Sequence, residues 1–313
     1  QGTVMANAQA KMGAIFKGDS DPVVALDANT LKTSLPHVPT GCLAIDYMIG
    51  GRLNRFGVAP CPGLPKGRIL NLYGHEAAGK TTLALSTVAQ VCAAGGSVCY
   101  IDFENAIEPS YAAAIGVPIA DKDRFLLCQP ETLEDGLKIM FIMLSEGIDL
   151  IVVDSVGAAS PKSEASKTIK ELDKHARVGE LARLWSQHLP KLKRLAAKKN
   201  STIIAISQLR ANISTTTAFG PRDTVQGGNA FKFYSALRMR LRKVQQIKGR
   251  VFNAMKGTYE EQTIGSKTRA KLDKCKISSS QGHEIDFHLR QGEGIDNAST
   301  LIDIASNNGI IKK

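Results

Sequence analysis

Eight consecutive residues, Gly74-His75-Glu76-Ala77-Ala78-Gly79-Lys80-Thr81, carry glycine, lysine and a hydroxyl at the spacing of a phosphate-cradling loop. Glycine lets backbone amides turn inward around phosphate oxygens, and the helix that follows adds positive potential at its N-terminus. Lys80 would neutralise the β and γ phosphates of a nucleoside triphosphate, and the Thr81 hydroxyl would ligate Mg²⁺, with Thr82 beside it. Two further carboxylates fall where such chemistry needs them. Asp154 closes the apolar run 150–153 and precedes Ser155, as a residue holding the Mg²⁺ shell would. Glu104 follows the apolar run 98–101, where it could activate an attacking water; a surface salt bridge is the plainer reading of the same residue. Gln208, after the run 202–206, could touch the γ-phosphate and report its presence to the segment that follows.

The elements that must position these groups are legible around them. Four short apolar runs at 69–73, 98–101, 150–153 and 202–206 alternate with helical patterns at 81–94, 133–145 and 179–199. Buried strands alternating with helices predict an α/β fold whose mostly parallel central sheet is flanked by helices. The helix over 179–199 gathers Leu181, Leu184, Trp185, His188, Leu192 and Leu195 on one face, so Trp185 reads as core; Pro190 should bend it or remove a backbone bond. From 237 to 242 the period becomes two, with Arg238, Arg240 and Arg242 on one side of a strand. A core strand with a cationic face is preferred there over direct DNA contact. A strand at 284–289 and a helix at 297–306 complete the pattern. The stretch 211–226 is long and polar and ends in Gly227-Gly228-Asn229, which predicts a switch loop that orders with its ligands. An amphipathic helix is expected at 6–16.

Composition narrows the class. Lys plus Arg number 40 against 29 Asp plus Glu, a net charge of +11, which favours a polyanionic partner. Cations cluster at Lys191, Lys193, Arg194, Lys198 and Lys199, and again at Lys243, Lys248 and Arg250 beyond the arginine strand. No apolar run is long enough for a membrane span, and no signal-peptide pattern opens the chain, so a cytoplasmic protein is expected. Gln1 as first residue suggests that more chain precedes it. Six scattered cysteines, none in a Cys-x-x-Cys pair, predict reduced packing thiols and no zinc site.

The segments "PTGCLAIDYMIGG", "GRILNLYGHEAAGKTTLAL", "YIDFENAIEPSYAAAIGV", "LIVVDSVGAASPKSE", "ISQLR", "GGNAFKFYSALRMRLRK", "GSKTRAKLDKCKIS" and "GEGID" resemble, in order, the blocks of RecA-type homologous recombinases, over about 39–304. That resemblance implies a RecA-like core, preceded by an N-terminal helix and linker at 1–38 that packs between protomers. The core would run over 39–290 and be followed by a truncated C-terminal domain at 291–313. It implies ATP and Mg²⁺ as ligands, and single-stranded and double-stranded DNA as partners. It also implies a homo-oligomeric helical filament that pairs and exchanges strands. Glu108 and Tyr111 match adenine-side contacts. Lys274 and Lys276 match the pair that reaches ATP on the adjacent protomer, so Glu104, Lys80, Gln208, Lys274 and Lys276 form the expected catalytic set. DNA would meet loops near 161–178 and 210–229, with Arg183, Ser186, Arg210, Gly227, Gly228 and Asn229 as contacts.

The sequence departs from the family by an apparent insertion at 52–65, a longer second loop and an expanded segment between 245 and 265. Ser280 stands where the family has a proline that packs on the neighbour's adenine, and Gln291 where it often has a tyrosine. A ring-forming helicase motor, or an ATP-switched DNA-coating mediator, are the competing readings; Glu104 argues against the second.

Overall fold

A computed structural model describes residues 32–50, 53–165, 174–211, 223–225, 229–253 and 256–311. The expected helix at 6–16 lies outside them, as do residues 166–173 of the first expected DNA loop and most of the second.

Twelve strands are described: β1 (His37–Val38), β2 (Leu64–Pro65), β3 (Ile69–Gly74), β4 (Val98–Asp102), β5 (Phe125–Cys128), β6 (Leu150–Asp154), β7 (Thr202–Ala211), β8 (Asp223–Val225), β9 (Leu237–Asn253), β10 (Thr258–Cys275), β11 (Glu284–Arg290) and β12 (Gly294–Asp296). The helices are α1 (Leu43–Gly50), α2 (Lys80–Ala93), α3 (Pro109–Ile115), α4 (Leu133–Glu146), α5 (Lys162–Ala165), α6 (Lys174–Lys199), α7 (Ala230–Tyr234) and α8 (Asn297–Asn307). The large sheet runs β12-β11-β10-β9-β3-β7-β6-β4-β5, with β8 paired to β7. From β9 to β5 every pairing is parallel, and β10, β11 and β12 continue the sheet antiparallel.

The parallel block follows from its residues. Each of β3, β4 and β6 is buried along its whole length, as strands covered on both faces must be. Alternation then sorts the side chains into two cores. Leu70, Leu72, Val98, Tyr100, Val152, Ile204 and Ile206 pack with α1 and α2 on one face. Ile69, Cys99, Ile101, Ile151, Val153, Ile203 and Ala205 meet α4, α6 and α7 on the other. Trp185 is 1% exposed in that second layer, its ring edge-on to Phe231 of α7, and its indole N–H donates to the Val156 carbonyl at 3.2 Å. Pro190 is accommodated inside the continuous helix α6.

Several elements exceed the sequence reading. β7 continues past Ile206 to Ala211, and β8 folds back antiparallel on it with Leu209 opposite Val225. Part of the segment expected as a switch loop at 211–226 is therefore paired strand, β8 lying antiparallel on the end of β7. The strand expected at 237–242 runs to Asn253, because β10 pairs with it residue by residue around a bulged register. The sheet also continues beyond residue 290, since β12 pairs with β11. All six cysteines are unbridged, and no helix among the described residues is long and apolar enough to cross a membrane.

Candidate nucleotide site

Four parallel strands deliver the site to one edge of the sheet. Gly74 ends β3, and its α-carbon faces the backbone of β9: a Cβ there would lie 2.2 Å from the Leu241 carbonyl oxygen. Gly79, the N-cap of α2, holds φ +86, and a Cβ on it would meet Leu289 at 2.4 Å. Both positions of the loop therefore favour glycine, Gly74 for its close approach to backbone and Gly79 for its left-handed φ.

Lys80 is buried, and its ammonium donates to the carbonyls of Gly74 at 3.1 Å and His75 at 2.7 Å. Burial lowers its pKa, against the pull of Asp154, Glu104 and Glu76. The Thr81 hydroxyl donates to Asp154 Oδ2 at 2.8 Å, and the fully buried Tyr100 hydroxyl donates to the same oxygen at 2.8 Å. Burial raises the Asp154 pKa while these two hydroxyls hold it down. Thr81 and Asp154 thus converge as hard oxygen donors, a set that fits Mg²⁺.

Glu104 sits on the turn after β4. Buried Asp102 shapes that turn by accepting the backbone N–H groups of Glu104 at 3.1 Å, Ala106 at 3.0 Å and Ile107 at 3.2 Å. Glu104 Oε1 then accepts from Gln208 Nε2 at 2.8 Å and from the Ser155 hydroxyl. The surface salt bridge considered for Glu104 is not what holds it. Gln208 does reach this cluster, from within β7 rather than from its end.

On the flank, Thr82 Oγ1 and the Tyr111 hydroxyl are 2.8 Å apart, and both border an open cleft of about 450 Å³ with Ala77, Gly79, Lys243, Gln246 and Gln291. His75, Glu76, Ala77 and Ala78 form the loop between Gly74 and Gly79, Ala77 at φ +56. Glu108 is exposed and caps α3, accepting from the Ser110 N–H and hydroxyl, which lowers its pKa.

Lys274 and Lys276 do not join this cluster. Lys274 lies opposite Arg238, whose other strand partner Asn71 is three residues before the loop's Gly74, and its ammonium donates to the Lys232 and Phe233 carbonyls at 2.7 and 3.1 Å. Burial, with Lys276, Arg238 and Lys193 nearby, lowers its pKa. Arg183 and Ser186 are exposed on α6, the Ser186 hydroxyl bonded back to the Ala182 carbonyl at 2.7 Å, and Asn229 is exposed before α7. Gly227, Gly228 and the Arg210 side chain lie outside the described residues.

A family model described as the RecA N-terminal domain matches residues 5–296. The RecA protein of Methylococcus capsulatus is 38% identical over 277 residues, covering 88% of this chain and 71% of that one. The chain belongs to the RecA family. The RecA protein of Lactobacillus delbrueckii subsp. bulgaricus is 37% identical over 307 residues, covering 97% and 83% of the two chains. The crystal structure of the RadB recombinase matches with a TM-score of 0.56 at 21% identity, over 83% of this chain and 99% of that one, which bears on the fold. The chain is thus a RecA-like recombinase in family and architecture.

Sequence reading missed several residues of this RecA-family core. Tyr100 and Asp102 looked like strand core and strand end, and only the pairing of β4 with β6 aims them at Asp154 and the Glu104 turn. Arg269 and Lys271 were also missed. They face Arg242 and Arg240 directly across β9 and β10, and the four line a recess of about 210 Å³ with Glu284. Arg238 stacks on Tyr73, 4.7 Å from the ring centre, while Met239 and Leu241 are buried, so the strand has a core side and a cationic side.

Proposed function

We propose that this chain is a DNA-dependent ATPase that assembles on single-stranded DNA as a helical filament and promotes homologous pairing and strand exchange. The observation that carries the reading is the convergence of Lys80, Thr81, Asp154, Glu104 and Gln208 at one sheet edge. Lys80 leaves its loop carbonyls to meet the β and γ phosphates of ATP, and the loop amides turn toward the same oxygens. Thr81, and Asp154 behind it, would hold Mg²⁺, which would neutralise charge on the phosphates. Glu104 Oε1 takes the proton of the attacking water, with Gln208 and Ser155 orienting the carboxylate.

Two features support DNA coupling. Gln208 ties the water-activating carboxylate to β7, which leads directly into the segment expected to meet DNA. Like charges placed opposite one another on β9 and β10 are unfavourable in themselves, and a polyanion relieves them. Arg269 has Asp286 at 2.6 Å and Lys271 has Glu284 at 2.8 Å, but Arg242 has no carboxylate partner among the described residues. The position of Lys274 and Lys276 away from their own phosphate loop supports the reading in which they complete a neighbour's site.

The deciding measurement is ATP hydrolysis with and without single-stranded DNA, paired with electron microscopy of the same mixtures. Steep stimulation and helical filaments are expected. Hydrolysis indifferent to DNA, or closed rings that unwind duplex, would overturn the proposal.

A further inference from the structure

β9 and β10 outrun the sheet they belong to. The first residue of β10 paired to β11 is Gly265, so residues 248–253 and 258–263 pair only with each other. A two-stranded ribbon has no third strand to bury its side chains, and alone it is marginal in water. At its end Phe252 and Tyr259 face each other in register, rings edge to face with centroids 5.3 Å apart. They are nevertheless 55% and 69% exposed.

Charge beside the rings selects a partner. Glu261 is taken by Lys248 at 3.1 Å and Glu260 by Lys256 at 2.7 Å. Arg250, two residues before Phe252 and on the same side of the strand, stands opposite Glu261, which is ion-paired with Lys248, and makes no ion pair of its own among the described residues. Residues so placed are about 7 Å apart, close enough for one nucleotide to meet both. An open aromatic pair with a cation beside it suits a chain of unpaired bases, since each base offers a π-face and each linkage a negative charge. A duplex hides its base faces, and a second copy of a chain with net charge +11 has no general attraction for a cationic ribbon.

We propose that the tip of this ribbon is a contact for single-stranded DNA, with bases stacking on Phe252 and Tyr259 and Arg250 meeting the adjoining phosphate. The proposal rests on the DNA-dependent reading of the core and adds a contact well outside the loops expected to hold DNA.

The test uses the full chain and an oligothymidylate. Phe252→Trp places a reporter at the tip, against the constant background of the single buried Trp185. Its fluorescence is quenched on adding the single strand and not on adding duplex of equal length. Removing both rings with Phe252→Ala and Tyr259→Ala weakens single-strand binding about tenfold per ring. Arg250→Ala shallows the log–log salt dependence by about 0.7. Unchanged affinity in the double variant with no quenching in the tryptophan variant overturns the proposal. So does unchanged affinity with a smaller assembly in sedimentation, which makes the tip a contact between copies. If the unaltered protein fails to bind the oligonucleotide at all, the reading of the core fails instead, and the two failures are separable.

Discussion

Gln208 Nε2 donates to Glu104 Oε1 at 2.8 Å, so an amide on β7 fixes a carboxylate on the turn after β4 across the intervening strand β6. In the proposed mechanism that one side chain would meet the terminal phosphate and hold the carboxylate that acts on the water.

Glu104→Gln keeps the size and both hydrogen-bonding neighbours but cannot take a proton. Turnover of ATP is expected to fall by roughly 10²–10⁴ while nucleotide affinity stays within a factor of a few. Gln208→Ala removes one hydrogen bond to a charged group, and a loss of about 10–100-fold in turnover is expected. Single-turnover kinetics beside equilibrium nucleotide binding checks both; equal losses of affinity and turnover would remove Glu104 from its role.

Lys274→Ala separates the individual chain from the assembly. Hydrolysis at concentrations that assemble on DNA is expected to drop, with ATP affinity of dilute, unassembled protein unchanged. A matching fall in the dilute protein shows that Lys274 serves its own phosphate loop.

Asp46 gives a stability test. It is buried at the start of α1 and accepts the Thr40 N–H at 2.9 Å, and burial, outweighing those bonds, pushes its pKa up to about 6. An ordinary aspartate in the unfolded chain titrates near 4. Between these values the folded chain holds more protons than the unfolded one, so stability declines as pH rises from about 4 to 6 and levels off above, by at most about 3 kcal/mol. Asp46→Asn still accepts from Thr40 and is expected to flatten that slope in urea titrations across the window. A slope identical to the parent protein's would assign it to other groups.

Thr268 is fully buried on β10, and its hydroxyl has no partner among the described residues. Thr268→Val replaces a costly hydroxyl with a methyl of the same shape. A gain of about 1 kcal/mol, read as a higher urea midpoint at unchanged m, is expected. A loss of stability would mean that the hydroxyl is satisfied.

The phosphate loop, Asp154 and the parallel strands were readable because local rules determine them: a glycine-lysine spacing, buried runs of β-branched residues, and a helix period that placed Trp185 in the core. What stayed hidden depends on register. Nothing near Tyr100 in the sequence says that its hydroxyl ends 2.8 Å from Asp154, because that contact exists only once β4 lies beside β6. Arg269 and Lys271 gain meaning the same way, by standing opposite Arg242 and Arg240. The polar residues of 258–264 gave no apolar alternation to mark a strand, since a two-stranded ribbon buries neither side fully.

β9 is a single strand that passes the nucleotide loop at Leu241 and ends at the exposed ribbon tip. Leu241 leaves no room for even a methyl between its carbonyl and Gly74, so the floor of the phosphate loop rests on this strand. The same backbone, twelve positions further on, reaches Asn253 at the ribbon's end. That makes β9 a beam clamped at one end and free at the other. If a single strand binds the tip as proposed, a load on it would act on the same strand that floors the phosphate loop.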